Sequence, residues 1–551
     1  MSQTRVTRRS QRQQEALGTS LNKRELEDHE APVPTKPSKK RVKVSSGPKP
    51  KRTTGRKLNS IPALPNELLN VFVFGTGSMN ELGMGDLDVD VAYRPRLNPN
   101  LPRDKIGVVD LAVGGMHSAV LSHDGRVFTW GVNDDFALGR PTKNQTDKEG
   151  NAIDNDLLEG TPSQVTGAIQ RLKVTKVCCS DNLTSVITEN GSCFSWGTFR
   201  CSDGILGFSE SSKRASEPVQ MPLPEVAQLA AGTDHILALT TTGKVYTWGN
   251  GQQCQLGRRM MDRRRLQGLN PEPLALKNIV AVGAGSYHSF AINNKGKVYA
   301  WGLNMTKQCA IADEEDEEEG IVTKPTLVEA LEPYKIKAIT GGEHHSLALL
   351  EDGRVLAWGR QDRHQLGIPD DALPESLTKD EKGYNYSIST PTIIPGLSNV
   401  VQVCCGTHHS LAVTNDGKVY SWGSSENYEV GQGDTDEEIV VPTLVRSKAI
   451  TNASIRVAGA GGQFSVIAGA PNEPETKPAE NGVKTDNEVK SESENNSTPP
   501  QQEENEEKKP VTSESTEMHI DQQPPTTEDQ TTTQSTEEKK EPAEEADSTS
   551  S

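Results

Sequence analysis

Hydrophobic and polar positions alternate along most of this chain in short runs, and the runs come in pairs joined by two-residue turns. HSAVLSHDGRVFTWG begins at His117, and HILALTTTGKVYTWG, HSFAINNKGKVYAWG, HSLALLEDGRVLAWG and HSLAVTNDGKVYSWG begin at His235, His288, His345 and His409. Alternation over about four to eight residues predicts half-buried strands. A step such as Asp124-Gly125 or Asp416-Gly417 between two such runs predicts a hairpin turn that uses glycine's access to positive φ. A further copy, LTSVITENGSCFSWG, keeps the hairpin but has Leu183 where the histidine belongs.

Upstream of each hairpin lies a β-branched run ending in small residues, as in VVDLAVGG, IVAVGAG and VVQVCCG; downstream comes a loop ending in Leu-Gly, as at Leu138-Gly139, Leu256-Gly257 and Leu366-Gly367. Each unit thus has three to four short strands, the content of one antiparallel blade. All 6 tryptophans, Trp130, Trp196, Trp248, Trp301, Trp358 and Trp422, are followed by glycine, and Phe74-Gly75 stands one step upstream. A repeat of this size predicts a radial or stacked architecture, and short antiparallel units with turns predict an all-β, seven-bladed β-propeller over residues 58–470. The ends support closure. VFVFGTGSMNELGMGD is a second half-unit with no first half before it, and IRVAGAGGQFSVIAG is a first half-unit with no second half after it. Pairing the N- and C-terminal half-blades completes the seventh blade and removes free sheet edges.

Charge divides the 551 residues further. Residues 1–57 carry 16 Lys and Arg against 5 Asp and Glu, and residues 471–551 carry 7 against 22. Neither segment has periodic apolar positions, so both are expected to be disordered tails, one basic and one acidic. No stretch is apolar for the length of a membrane span and the Arg-rich N-terminus lacks a signal-peptide core, which predicts an intracellular protein without membrane contact. Adjacent pairs Cys178-Cys179 and Cys404-Cys405 point to opposite faces of their strands and read as small buried thiols rather than disulfides or zinc ligands. No phosphate-cradling glycine loop, catalytic triad or HExxH helix is present in the sequence, so no bond-breaking chemistry, metal or cofactor is expected.

Tryptophan, histidine and glycine recur in every unit, so they are expected to be architecture: tryptophan packed between blades, histidine bonded to a neighbouring blade's backbone. Function must then sit where the copies differ. The two positions before each repeat histidine fall in loops at one end of the inner strands. The ring they form offers Met116, Asp181 with Asn182, Asp234, Tyr287, His344, His408 and Gln463. Two insertions stand out. GTFRCSDGILGFSE after Trp196 predicts a hairpin tipped by Ser202, Asp203 and Gly204 and flanked by Ile205 and Leu206; the next unit adds Arg258, Arg259, Arg263, Arg264 and Arg265. A compact basic cluster on an acidic propeller predicts an anion-binding point for phosphate or nucleic acid, with salt bridges to the acidic run Asp313–Glu319 as the alternative. KPSKKRVKVSSGPKPKR, containing Lys39, Lys40, Arg41 and Lys43, fits a nuclear-localisation signal and a DNA-phosphate contact.

These residues resemble one family: the regulator of chromosome condensation, the guanine-nucleotide exchange factor for the small GTPase Ran, here as a fungal-type member. The resemblance covers residues 58–470 and the basic leader. GTFRCSDGILG resembles the family's β-wedge, and QLGRRMMDRRRLQGL resembles its switchback loop. The resemblance implies that Arg200 to Leu206 insert beside the GTPase nucleotide site and that Asp181, Asp234, Arg258 and His344 engage Ran. It implies that Arg259, Arg263, Arg264, Arg265 and the basic tail contact the nucleosome, meaning the histone acidic patch and DNA phosphates. It implies a nuclear, chromatin-associated protein, carried in by import receptors, whose Ran-GTP output serves nucleocytoplasmic transport and mitosis. A propeller scaffold without exchange activity is the alternative. Ser78, Leu183 and Phe464 depart from the family pattern.

Overall fold

The computed structural model describes residues 55–472 apart from 88, 313–319 and 436. The expectations for both tails, Lys39, Lys40, Arg41 and Lys43 among them, and for the acidic run therefore lie outside the described residues. Within them, seven antiparallel sheets of four or five strands follow one another, and a separate two-stranded hairpin is inserted before the outermost strand of the sheet that contains Trp196. Each continuous blade is named below by its tryptophan. The closing blade takes its two outer strands, Asn70–Thr76 and Val91–Leu97, from the start of the chain and its two inner strands, Ala453–Ala460 and Phe464–Pro471, from the end. Asn70 pairs with Gly469 and Gly75 with Phe464.

The Trp-Gly step has a local cause. Gly131 has φ +105°, and a Cβ there would lie 2.5 Å from the Met116 carbonyl oxygen; the glycines after the other tryptophans share that left-handed backbone. Only glycine adopts it without strain. Gly283, near the axis, has the Ile339 carbonyl oxygen 2.0 Å from where its Cβ would stand, so the inner strands crowd as the small residues allow.

All six tryptophans are fully buried between blades, and a polar stitch accompanies them. His235 Nε2 lies 2.8 Å from Ser289 Oγ of the next blade, Ser289 Oγ donates to the Gln255 carbonyl at 3.0 Å, and the Trp301 indole N–H donates to the same carbonyl at 2.9 Å. His288, Ser346, Gln308 and Trp358 repeat it, as do His345, Ser410, Gln365 and Trp422. His117, Thr184, Ala137 and Trp196 do the same, and His409, Ser465 and Glu429 stitch the closing blade. The expected backbone contact holds for His117, whose Nδ1 lies 3.2 Å from the Asp181 carbonyl oxygen, and is corrected for His235, His288, His345 and His409, where the ring reaches a hydroxyl across the seam and the hydroxyl reaches backbone. Because that hydroxyl spends its proton on a carbonyl, Nε2 of His235, His288, His345 and His409 must be the donor. The residue before each accepting carbonyl, Phe136, Cys254, Lys307, His364 or Tyr428, has positive φ, which aims the carbonyl across the seam.

Two seams lack the histidine stitch. Between the Trp196 and Trp248 blades, Leu183 replaces the histidine, Ile236 replaces the hydroxyl, and the buried Trp248 indole nitrogen has no hydrogen-bond partner. Leu183, Ile236 and fully buried Phe199 form one apolar cluster there with Trp248. At the seam after the closing blade, Phe464 replaces the histidine and Ser118 Oγ is left buried without a partner.

Candidate functional site

The loops that precede the inner hairpins converge at one end of the axis, around a cavity of about 270 Å³ whose polar lining includes Asp181, Thr233, Ser286, Glu343 and Thr407. These residues stand two places before the repeat histidine position. Asn182, Asp234, Tyr287, His344 and His408 stand one place before it, half-buried or buried, while Met116 and Gln463 are exposed. The expected ring is thus present, and it contains Glu343, which sequence reasoning passed over in favour of its neighbour His344. Glu343 lies 3.6 Å from both His344 Nε2 and His408 Nε2. Its place in the same two-residue window as Asp181 was the available signal.

Charge is held here against its own solvation. Burial pushes the Asp181 carboxyl up to about 6, with Glu343 adding to the shift and a Thr233 hydrogen bond opposing it. Burial likewise pushes Asp234 up to about 7, opposed by an N–H from Arg200 and assisted by the Asp181 charge. His344 and His408 are lowered by burial, with Glu343 working in the other direction. The Asp181 and Asp234 carboxylates therefore change charge near neutrality.

At the Leu183 seam the chain leaves the Trp196 blade and forms the expected hairpin. Its strands are Phe199–Cys201 and Gly204–Gly207, with Ser202 and Asp203 at the tip. The Arg200 N–H donates to Asp234 Oδ1 at 2.6 Å, which joins the hairpin to the mouth. Ile205 is half-exposed, whereas Leu206 is buried at the base. The basic segment folds as a short 3-10 helix, Asp262–Leu269, beside the hairpin. Arg265 pairs with Asp203, and Ser202 exchanges two hydrogen bonds with Gln252, at 3.0 and 2.7 Å. The two insertions form one contact unit, although the sequence presents them as separate. Arg259 and Arg264 are exposed, and Arg263 is exposed close to Met261.

Arg258 does not join the mouth. Its guanidinium donates to Thr247 Oγ1 at 2.6 Å and pairs with Glu272 at 3.5 Å within its own blade, and burial lowers its pKa. Arg140 occupies the same place after Leu-Gly and donates to the carbonyl of the equivalent Thr129. Arg258 thus shares a bracing position with Arg140. Two further features of this face were not picked out from sequence. Met79, Met116 and Met305 are exposed by 43%, 42% and 67% on its loops, and adaptable apolar side chains of this kind suit a binding surface. Asp135, in the loop after Trp130, is buried and meets Arg200 of the hairpin and Arg214 of the segment that returns from it.

Residues 70–467 match the RCC1-like domain family model. The chain is 69% identical to protein pim1 of Schizosaccharomyces pombe, over 90% of this chain and 92% of that protein. It is 41% identical to guanine nucleotide exchange factor SRM1 of Saccharomyces cerevisiae, over 73% of this chain and 87% of that protein. The chain belongs to the RCC1 family. Among solved structures, Prp20p of Saccharomyces cerevisiae, described with its binding to Gsp1p and histones, superposes with a TM-score of 0.69 at 40% identity, over 75% of this chain and 94% of that one. Yeast RCC1 (Prp20) bound to Kap60 gives 0.71 at 39% identity, over 79% and 97%. Within this RCC1 family propeller, the departures at Leu183 and Phe464 fall on the two irregular seams, and Ser78 is exposed on a mouth-side loop.

Proposed function

We propose that this protein is a guanine-nucleotide exchange factor for the nuclear GTPase Ran, working on chromatin. The observation that carries the reading is the hairpin from Phe199 to Gly207, tied through Arg200 to the Asp234 carboxylate of the mouth. A rigid projection beside a ring of part-buried charges is the arrangement needed to press one element into a nucleotide site while the ring holds the rest of the GTPase. Exchange breaks no bond. A factor that binds the nucleotide-free GTPase more tightly than the nucleotide-bound form drives GDP out by that difference, and the abundant nucleotide then refills the site. Asp181, Asp234 and Glu343 favour a basic docking surface; Arg200, Ser202, Asp203, Gly204, Ile205 and Leu206 form the inserting element. The function of SRM1 as a guanine nucleotide exchange factor and the Gsp1p and histone binding of Prp20p point the same way.

The chromatin contact rests on charge. Arg259, Arg263 and Arg264 project beside the hairpin and suit an acidic protein patch or DNA phosphates. Gly55, where the described chain begins, packs on Thr242, and Leu58 and Asn59 bond Thr241 at the turn end of the Trp248 blade, opposite the mouth. The basic segment with Lys39, Lys40, Arg41 and Lys43 lies outside the described residues. We assign it to DNA phosphates and to nuclear import receptors, with a nuclear, chromatin-associated location. Release of labelled GDP from Ran by the full-length protein is the test. Acceleration by orders of magnitude at sub-stoichiometric protein is expected, and an unchanged release rate at micromolar protein leaves only a binding scaffold.

A further inference from the structure

The hairpin projects from a seam that lacks the histidine stitch, so something else must set its angle. At that base, Thr198 Oγ1 donates to the Lys213 carbonyl at 2.6 Å and draws the two legs together. Arg200 stands on the leg that leaves the blade and Arg214 on the leg that returns. Both guanidinium groups reach the same carboxylate in the preceding blade: Arg200 Nη1 donates to Asp135 Oδ2 at 3.2 Å and Arg214 Nε to Asp135 Oδ1 at 2.8 Å. Asp135 is 5% exposed, and each of its oxygens is taken by one leg. Its loop is itself fixed, since Asn133 donates to Thr142 Oγ1 at 2.9 Å and accepts from the Leu138 N–H at 3.0 Å. Asp234 of the following blade holds the Arg200 N–H from the other side.

We propose that Asp135 is a positioning residue for nucleotide exchange, setting the angle of the hairpin through its paired contacts with Arg200 and Arg214. A carboxylate forked between two guanidinium groups fixes direction as well as distance, and displacing an inserting element by about an ångström costs rate far more than affinity. Both arginines are part-exposed, so when the carboxylate is lost they turn to water and the fold survives. Other copies carry Gln253, Thr306, Arg363 or Asn427 at this loop position, so Asp135 is not part of the repeat frame. The inference rests on the reading of the hairpin as the inserting element.

The test uses full-length protein and labelled GDP on Ran. D135N is expected to lower the maximal release rate roughly tenfold, with GTPase affinity within about threefold of wild type and an unchanged melting temperature. R200A/R214A should lose a similar factor, and adding D135N should lose no more, because all three act through one contact. R214Q, which breaks one leg only, should fall between and serves if D135N folds poorly. In a variant whose residues 201–205 are replaced by two glycines, D135N should be silent. An undiminished rate for D135N and R214Q, or an equal further loss in the hairpin-less variant, overturns the role of Asp135. A hairpin-less variant that exchanges at the wild-type rate instead overturns the underlying reading of the hairpin.

Discussion

Two rings of residues lie one step apart along the chain and obey opposite rules. The repeat histidines are fully buried and held neutral, each bonded to a fixed hydroxyl across a seam. The residues just before them, at the mouth, include carboxylates that burial raises to about 6 and 7 and imidazoles that burial lowers. The first ring repeats in five of the seven blades and ties each to the next; the second varies and faces outward. Chemistry that repeats has a mechanical purpose, and chemistry that varies beside it is available for a partner.

The widest separation of the two rings should come with pH. Burial depresses His117 to about 4 and His235, His288 and His409 to about 3, and it carries His345 down with them. In the unfolded chain these imidazoles bind protons below about 6.5, so the folded state binds fewer and its stability falls as pH drops through that value, by about 1.4 kcal/mol per histidine per pH unit. Asp181 and Asp234, with raised pKa, oppose this in part, since their burial favours the folded state at low pH and costs stability as pH rises toward 6 and 7. Urea melts from pH 7.5 to 5 should therefore show a net loss of several kcal/mol. Exchange should move differently. Its rate should climb between pH 6 and 8 as Asp181 and Asp234 ionise, at pH values where the fold is intact, and D181N should flatten the lower part of that climb. A flat rate profile would remove the charged mouth from the reaction.

Substitution sharpens the same contrast. Trp301→Ala empties a fully buried site and leaves the Gln255 carbonyl with one donor fewer, so a stability loss of about 3–5 kcal/mol is expected, with exchange per folded molecule unchanged. Asp234→Ala should do the reverse. It removes the acceptor of the Arg200 N–H, a charge-assisted bond whose loss is worth about 1.5–3 kcal/mol, and that loss should appear as a tenfold or greater fall in exchange while the melting temperature holds. Equal falls in both would return Asp234 to the scaffold.

The propeller, its closure and the mouth were legible because each rests on spacing within one hairpin or on one repeated interval. Leu183 was visible as a departure, but its consequence was not, since the stitch it breaks joins positions more than fifty residues apart that no local pattern relates. Asp135 was missed for the same reason. It is 65 residues from Arg200 and 79 from Arg214, and only the stacking of neighbouring blades brings the three together. Glu343 shares its two-residue window with His344, and sequence alone does not say which of two adjacent titratable side chains faces the axis.

Arg258 gives the smallest expected effect on exchange and the most direct check on the rule that separates the rings. Resemblance places it with the GTPase-engaging residues, whereas geometry gives it the place of Arg140, bracing a blade through the threonine before its tryptophan. If repetition marks scaffold, Arg258→Ala should lose about 1–2 kcal/mol of stability for its buried hydrogen bonds, and exchange per folded molecule should change less than twofold. Arg140→Ala should behave alike in both assays. A variant at Arg258 that stays stable yet loses exchange, beside an Arg140 variant that does not, would show that a repeated position had been recruited to the partner and that repetition alone does not assign a residue to the frame.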